Sequence, residues 1–219
     1  LLQSLAALDA QGCITPQGRR MAALPMHPRL AHMVLRAQDR GEARTACLLA
    51  ALLSEPGAMM ARPGAPPGAD LQDLLDALRH DDRSVLPREP ARRIHALAAE
   101  WRHSLGGKDI ADDCAAAPGP LLLDAFPDRV GRRRGPRGDL RYLLACGRGA
   151  TLRPGDPLSE HEWIVVAELD DADADATIRR AAALPSADAE RLLAGKIRRV
   201  PVLAWDRRRC AVAASERDQ

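Results

Sequence analysis

The feature that most constrains this chain is a pair of prolines that stops one helix and starts the next. Thr15 and Pro16 predict a helix start, because threonine caps a helix N-terminus and proline fits the first helical position. Pro25 ends that helix, since the residue before a proline disfavours the α region. Pro28 opens a second helix, and Gly41 closes it. The pattern predicts two helices joined at a fixed angle.

A helix is also predicted before this joint. Leucines recur there at helical spacing ahead of Gly12, at Leu1, Leu2, Leu5 and Leu8. A short β-like link at residues 13–15 follows. Helix, short strand and helix in this order are compatible with the tail of a winged-helix domain.

The segment after the joint is predicted to be a small helical bundle. Its helical patterns cover residues 28–40, 42–55, 71–80 and 90–105. The second of these is almost wholly apolar at its centre, so we expect it to be buried. Asp70 is placed to cap the third. Residues 55–70 form a long Pro/Gly loop.

The pattern changes near Pro118. A helix and an arginine-rich turn come first, followed by short strand-like segments and one small helix capped by Ser186. Five or six short strands with a single helix predict an OB-like β-barrel. The expected fold class is therefore α+β and multidomain, with a helical part followed by the barrel.

The charge of the chain is uneven. Net charge is only +2, but residues 124–148 hold seven arginines against three aspartates, and residues 196–209 hold six basic residues against one acid. Basic blocks of this kind can form a surface patch. Aromatic residues make up 2% of the chain, which favours contact with a nucleic-acid backbone over reading of bases.

Several classes of function are excluded by missing motifs. The GGKD segment at residues 106–109 lacks the hydroxyl residue and the upstream glycine of a phosphate-binding loop, and no GxGxxG, GxSxG or HExxH occurs. His27 is therefore expected to be a surface or capping residue. The five scattered cysteines indicate reduced thiols in a cytoplasmic protein, and no apolar run is long enough to span a membrane. The chain begins without Met inside a helical pattern, which we interpret as a fragment.

The run LAALDAQGCITPQGRRMAALPMHPRLAHMVLRA resembles the helicase-associated region of DEAH-box helicases. Matching positions keep the order and spacing of that family's pattern: Gly12, Ile14, Thr15, Gly18, Arg19, Met21, Ala22, Leu24, Pro25, Pro28, Leu30, Ala31 and Met33. The later segments LLLDAFPDRVGRRRG, RYLLACGRGATLRPGDPLSEHEWIVVAELD and VLAWDRRRCAVAA are similar to the bacterial HrpB-type branch. Together they span nearly the whole chain.

This resemblance implies three parts. Residues 1–27 would end a winged-helix domain, residues 28–117 would form a ratchet-like helical domain, and residues 118–219 would form the OB-like barrel with a truncated HrpB-type C-terminal region. In the family these parts follow two RecA-like motor domains and surround a single strand of RNA. The expected partners are therefore single-stranded RNA, with DNA as the alternative, and the motor domains of the same parent protein. ATP and Mg would bind only in the motor domains of the parent helicase, so this chain is expected to hold no cofactor and no metal and to lack ATPase activity.

The arginine-rich turn holds the leading nucleic-acid-binding candidates. They are Arg129, Arg132, Arg133, Arg134, Arg137 and Arg141, with Tyr142 as a possible base-stacking residue. Each arginine could instead pair with a nearby acid. Trp163 is expected in the core, because it alternates with apolar residues. A second basic cluster comprises Lys196, Arg198, Arg199, Arg207, Arg208 and Arg209, and Arg19 and Arg20 could contact RNA or the motor domains or form surface salt bridges.

Three functions are compatible with these observations. The first is the accessory C-terminal part of an ATP-dependent RNA helicase. The second is a stand-alone, non-enzymatic nucleic-acid-binding protein, and the third is a structural adaptor whose basic blocks bind acidic proteins. Both ends of the sequence look cut, which favours the first.

Overall fold

A computed structural model describes most of the chain. Side chains are described for residues 1–55, 68–106, 116–170 and 176–191, and backbone alone for 192–193, 199–206 and 211–218. Two compact units are present, Leu1–Leu184 and Pro185–Gln219. None of the helices in the described ranges has the length and apolar content needed to cross a bilayer.

The predicted first helix is wrong. Residues 2–6 form turns rather than a helix, although the Leu5 N–H donates to the Leu1 carbonyl at 3.0 Å, as in one helical turn. Ala6 has a φ of 54°, which is in the left-handed region. The carbonyl of Ala6 accepts the Thr15 hydroxyl at 2.6 Å, and that of Ala7 accepts the Thr15 N–H at 3.0 Å. Hydrogen bonds from Thr15 therefore take the carbonyls that a continuing helix would use.

The proline joint is confirmed. Helix α1 covers Pro16–Ala22, and its N-terminus is capped by the Thr15 hydroxyl, which accepts the Gly18 N–H at 2.9 Å. Helix α2 covers Pro28–Arg40 and ends at Gly41, whose φ is 80°. His27 caps α2, because its Nδ1 accepts the Arg29 N–H at 3.2 Å. The histidine is thus a capping residue, as the sequence predicted.

Three more helices continue the helical part. They are α3 at Ala43–Ser54, α4 at Leu71–Arg79 and α5 at Arg88–Ser104. Helix α3 is largely buried, as predicted, and packs against α2 and α5. Asp70 caps α4 by accepting the Gln72 N–H at 2.9 Å, which confirms its predicted role. Most of the predicted loop at residues 55–70 lies outside the described residues.

A five-stranded closed barrel follows. Its strands are β1 at Val130–Arg133, β2 at Arg141–Leu144, β3 at Gly149–Thr151, β4 at Trp163–Leu169 and β5 at Ala176–Leu184. They close in the order β1-β2-β3-β5-β4, and β3 pairs with β5 in parallel while the other neighbours are antiparallel. The predicted OB-like barrel is therefore present, and its interior is filled by side chains that include Leu144, Ile164 and Ile178.

Helix α6, Pro118–Ala125, packs on the outside of β4 and β5 and also against α2. Gly119 lies directly on the barrel: a Cβ atom at this position would lie 2.2 Å from the Ala183 carbonyl oxygen. Only glycine allows this close approach of helix and strand. The contacts of α6 cross the predicted boundary at residue 118, and the predicted domain boundaries stay predictions.

A cluster of polar contacts joins α2 to the end of α6 and to the segment directly after it. Arg29 donates from its guanidinium to both carboxylate oxygens of Asp128, at 2.6 and 2.9 Å, and to the Ala125 carbonyl at 2.8 Å. His32 Nδ1 lies 2.9 Å from the Asp124 carbonyl oxygen, and Arg40 pairs with the Asp124 carboxylate at 2.8 Å. We call this set the α2–α6 latch.

The last two strands do not enter the barrel. In the second unit, α7 covers Ser186–Leu193, and β6 at Arg199–Asp206 pairs antiparallel with β7 at Ala211–Asp218 as a separate two-stranded sheet. Ser186 is the first residue of α7 and not its cap. Five strands already close the barrel, so no edge is left for a sixth.

Replacing Gly119 with alanine should destabilise the protein. Alanine favours a helix over glycine by about 1 kcal/mol, but the clash with the β5 backbone cannot be relieved by a side-chain rotation, and overpacking costs about 1–3 kcal/mol. We therefore expect a lower free energy of unfolding for G119A in urea titrations. The control is G68A, since a Cβ at Gly68 meets nothing within 4 Å. Equal stability of both variants would contradict the close approach.

Candidate nucleic-acid interface

Strand alternation places three of the predicted arginines on the outer side of the barrel. Tyr142 points inward, and Arg132 and Arg141 lie on the opposite face of their strands. Arg134 follows β1, and its N–H donates to the Arg141 carbonyl at 2.9 Å, so these two residues are cross-strand neighbours. We call Arg132, Arg134 and Arg141, together with Trp163, the barrel face.

Acidic residues neutralise much of this surface. Arg141 pairs with Asp139 through two nitrogens, at 2.9 and 3.1 Å, and this hydrogen bond is the main cause that lowers the pKa of Asp139 to about 2. Arg132 pairs with Glu162 at 3.1 Å. Arg137, in the loop between β1 and β2, pairs with Glu160. The sequence count over residues 124–148 missed both glutamates, because they come from the segment before β4.

Arg134 differs from its neighbours. Its side chain is exposed, and no hydrogen bond or ion pair joins its guanidinium to any residue in the part of the chain that the structure describes. The guanidinium therefore keeps its donors available beside Arg141.

Two predicted arginines serve the fold. Arg133 is half-buried and donates to the carbonyls of Gly135 and Ser159, at 3.3 and 3.0 Å. Arg129 donates to the Ala167 carbonyl at 2.7 Å and lies over the Phe126 ring. These contacts hold the strand ends and the segment after α6, so neither arginine belongs to the barrel face.

Tyr142 is not a stacking residue, contrary to the sequence-based suggestion. Its side chain is fully buried among the barrel's core residues. The hydroxyl donates toward the carbonyl oxygens of Leu158 and His161, at 2.9 and 2.7 Å. A ring enclosed in this way presents no face to a base.

Trp163 takes the position that the sequence suggested for Tyr142. It is only partly buried, and the Arg132 guanidinium lies 5.2 Å from its ring centroid. The residues that alternate with it face outward, and α6 packs on this side of β4, so Val165 is buried while Trp163, at the start of the strand, is not. The predicted core position is therefore wrong. The apolar alternation could not reveal which part of the strand a helix covers.

The remaining basic candidates are less informative. Arg20 makes a surface contact with Asp39 at 3.5 Å, which is the salt bridge that the sequence left open. Side chains of the second cluster, residues 196–209, lie outside the described residues. Cys13, Cys47 and Cys146 form no disulfide bond within the part of the chain that the structure describes. No group of potential metal ligands is present among the described residues.

A cavity of about 290 Å³ lies beside β4 and β5, and charged residues of both signs line it. Arg179 pairs there with Asp170, and the buried Arg180 lies near Glu168, whose pKa is raised by burial. Asp156 accepts two backbone N–H groups, from Ala69 and Leu158. Because these charges are largely balanced, the cavity does not present a basic site comparable to the barrel face.

Known proteins resemble this chain over different portions. A family model for the helicase-associated (HA2) winged-helix domain matches residues 1–26. The ATP-dependent RNA helicase HrpB of Escherichia coli (strain K12) is 39% identical over 165 residues, which cover 75% of this chain and 18% of that protein. The chain thus spans about a fifth of this curated relative.

Two solved structures match the whole chain. A crystal structure of the E. coli DExH-box NTPase HrpB superposes with a TM-score of 0.73 at 30% identity, and one of the E. coli DEAH/RHA helicase HrpB superposes with a TM-score of 0.67 at 28% identity. Each match covers 100% of this chain and 24% of the solved chain. Helices and barrel therefore occur together in the same arrangement in these structures.

The hydroxyl of Tyr142 should lose its proton at a higher pH than an ordinary tyrosine. Burial raises the pKa of its hydroxyl to about 12, whereas an unfolded tyrosine titrates near 10, at about the ordinary value. The neutral form is favoured in the fold, so this stabilising contribution is complete below about pH 10 and is lost as pH rises toward 12. Tyrosinate absorbance measures this directly, because Tyr142 is the single tyrosine.

The comparison is between native and denatured protein. Coincident titration curves would contradict the burial of the hydroxyl. The Y142F variant should lack the tyrosinate signal and should unfold with about 1 kcal/mol less free energy, because two buried carbonyls lose a donor.

Proposed function

We propose, on the premise that this chain corresponds to the C-terminal helicase-associated region of HrpB-type DEAH-box helicases, that it guides single-stranded RNA along the barrel face. The observation that carries this proposal is the row of outward arginines across β1 and β2, with Arg134 unpaired among the described residues. Guanidinium groups of this kind suit phosphate oxygens, which they can bind through two parallel hydrogen bonds.

The ion pair between Arg132 and Glu162 is compatible with this role. Both side chains are exposed, and exposed ion pairs contribute only about 0–1 kcal/mol, so a phosphate can replace Glu162 at small cost. Arg141 is itself more than half exposed, so its guanidinium can contact a phosphate while it stays paired with the more buried Asp139. Trp163 adds an aromatic surface beside Arg132, where a base could stack without sequence preference.

The parent protein would supply the chemistry. E. coli HrpB is named an ATP-dependent RNA helicase, and by that relationship the parent would couple ATP hydrolysis to remodelling of RNA. ATP and Mg would bind in RecA-like motor domains, against which this chain would pack. We infer a cytoplasmic location for the parent, and no ATPase activity for these 219 residues alone.

The RNA-binding proposal is tested with a triple variant of the barrel face, R132A/R134A/R141A. Binding of a labelled single-stranded RNA is measured by fluorescence anisotropy at several salt concentrations. The association constant falls as salt rises, and each phosphate contact contributes about 0.7 to the steepness of log K against log salt. The variant lacks three arginines, so we expect the steepness to decrease by about 2. A DNA strand of the same sequence tests whether the 2′-hydroxyl matters.

The matched control is R93A/R179A/R191A, which removes the same number of charges. These three arginines are exposed, and each is ion-paired, with Glu55, Asp170 and Asp188 respectively. We expect the control to keep the parental slope. An unchanged slope in the barrel-face variant would remove this surface from the RNA path, and absence of RNA binding by the parental chain would refute the proposed function.

A further inference from the structure

Helix α5 carries a second basic surface. The helix buries Ile94, Ala98 and Trp101 on one side. About 110° around the helix from that side, at about 100° per residue, basic residues recur at steps that keep them in one row along the helix. The row consists of Arg88, Arg92, His95 and Arg102, with the small residue Ala99 between the last two. We call this row the α5 stripe.

Carboxylates lie away from the stripe. Glu89 and Glu100 are about 100° or more around the helix from its centre, at about 100° per residue. Arg93, near those glutamates and off the stripe, pairs with Glu55 at 2.9 Å. Asp81 is close enough to Arg88 and His95 for their charges to lower its pKa, but the main cause of that lowered pKa is its hydrogen bond to Arg83.

The arginines of the stripe have no direct partner. Within the described residues, no hydrogen bond or ion pair joins the guanidinium groups of Arg88, Arg92 and Arg102 to another residue. The exposed arginines Arg83 and Arg93 nearby are both paired with acids. A guanidinium without a partner keeps five donors available. Three such guanidinium groups in one row make no hydrogen bond or ion pair that would stabilise the described part of the fold.

The shape of the stripe favours a nucleic-acid backbone. From Arg88 to Arg102 it extends about 21 Å along a straight helix, at about 1.5 Å per residue. Its only apolar member is the small Ala99 near its centre. Protein interfaces are anchored by large, buried aromatic or apolar residues, and the stripe offers none. A linear polyanion complements this linear row of charge.

We propose that the α5 stripe is a second phosphate-binding surface for single-stranded RNA, separate from the barrel face. The inference rests on the proposed function, because it assumes that the chain binds a single strand. Both surfaces belong to the compact unit Leu1–Leu184. One strand bound at both would release more counterions than the barrel face alone accounts for, and its affinity would depend more steeply on salt.

The test is the variant R88A/R92A/R102A in the full 219-residue chain. Binding of a labelled single-stranded RNA is measured at several salt concentrations, beside the parental chain, the control R93A/R179A/R191A and the barrel-face variant R132A/R134A/R141A. We expect the steepness of log K against log salt to decrease by about 2 in the stripe variant. In a variant that combines the stripe and barrel-face substitutions, we expect it to decrease by about 4. Circular dichroism and urea unfolding check that each variant is folded.

The outcomes separate the two proposals. If the barrel-face variant loses slope and the stripe variant matches the control, the stripe is not in the RNA path and the inference is wrong while the proposed function stands. If the stripe variant alone loses slope, the inference holds and the barrel face is wrong. If the parental chain does not bind RNA, both are wrong. A stripe variant that keeps RNA affinity but loses binding to an acidic protein would also overturn the inference.

Discussion

The arrangement of the first unit depends on Arg29. Its guanidinium reaches from the start of α2 to the Asp128 carboxylate and the Ala125 carbonyl, and lies 5.2 Å from the Phe126 ring centroid. The side chain is only 13% exposed. Burial alone would raise the pKa of Asp128, but the Arg29 hydrogen bonds bring it below its ordinary value, so the carboxylate stays charged. Loss of either partner would leave a partly buried charge uncompensated.

This contact explains the proline joint. Pro28 starts α2 one residue before Arg29, and the His27 cap accepts the Arg29 N–H, so the backbone of that residue is fixed by local contacts. The latch then ties α2 to the end of α6, while Gly119 presses the start of α6 against β5. Helix and barrel are positioned through α6 from both of its ends. Two surfaces on different elements can act on one strand only if such a connection holds them in a constant relation.

Sequence reasoning recovered the features that depend on local chemistry. The caps at Thr15 and Asp70 follow from side-chain oxygens next to a helix start, and the strand pattern was sufficient for the barrel. It failed where distant residues compete for the same groups. The first residues have helical leucine spacing, but Thr15 binds the carbonyls of Ala6 and Ala7, which a continuing helix would use. Tyr142 and Trp163 exchanged their expected places. Period-two alternation separates the two faces of a strand, but it does not say which face fills the barrel or which part of the outer face a helix covers.

Charge in the sequence was an incomplete guide to charge on the surface. The arginine-rich segment was the leading candidate because of its number of arginines. In the structure, however, Arg129 and Arg133 donate to backbone carbonyls, and Glu160 and Glu162 pair with two of the other arginines. The α5 stripe forms no run of basic residues in the sequence, because its four members are separated by steps of four, three and seven residues, with alanines among them. What distinguishes a candidate binding surface is the number of guanidinium groups that the fold leaves without a partner. By that measure α5, a helix whose other face fills the core, contributes at least as much as the arginine-rich segment.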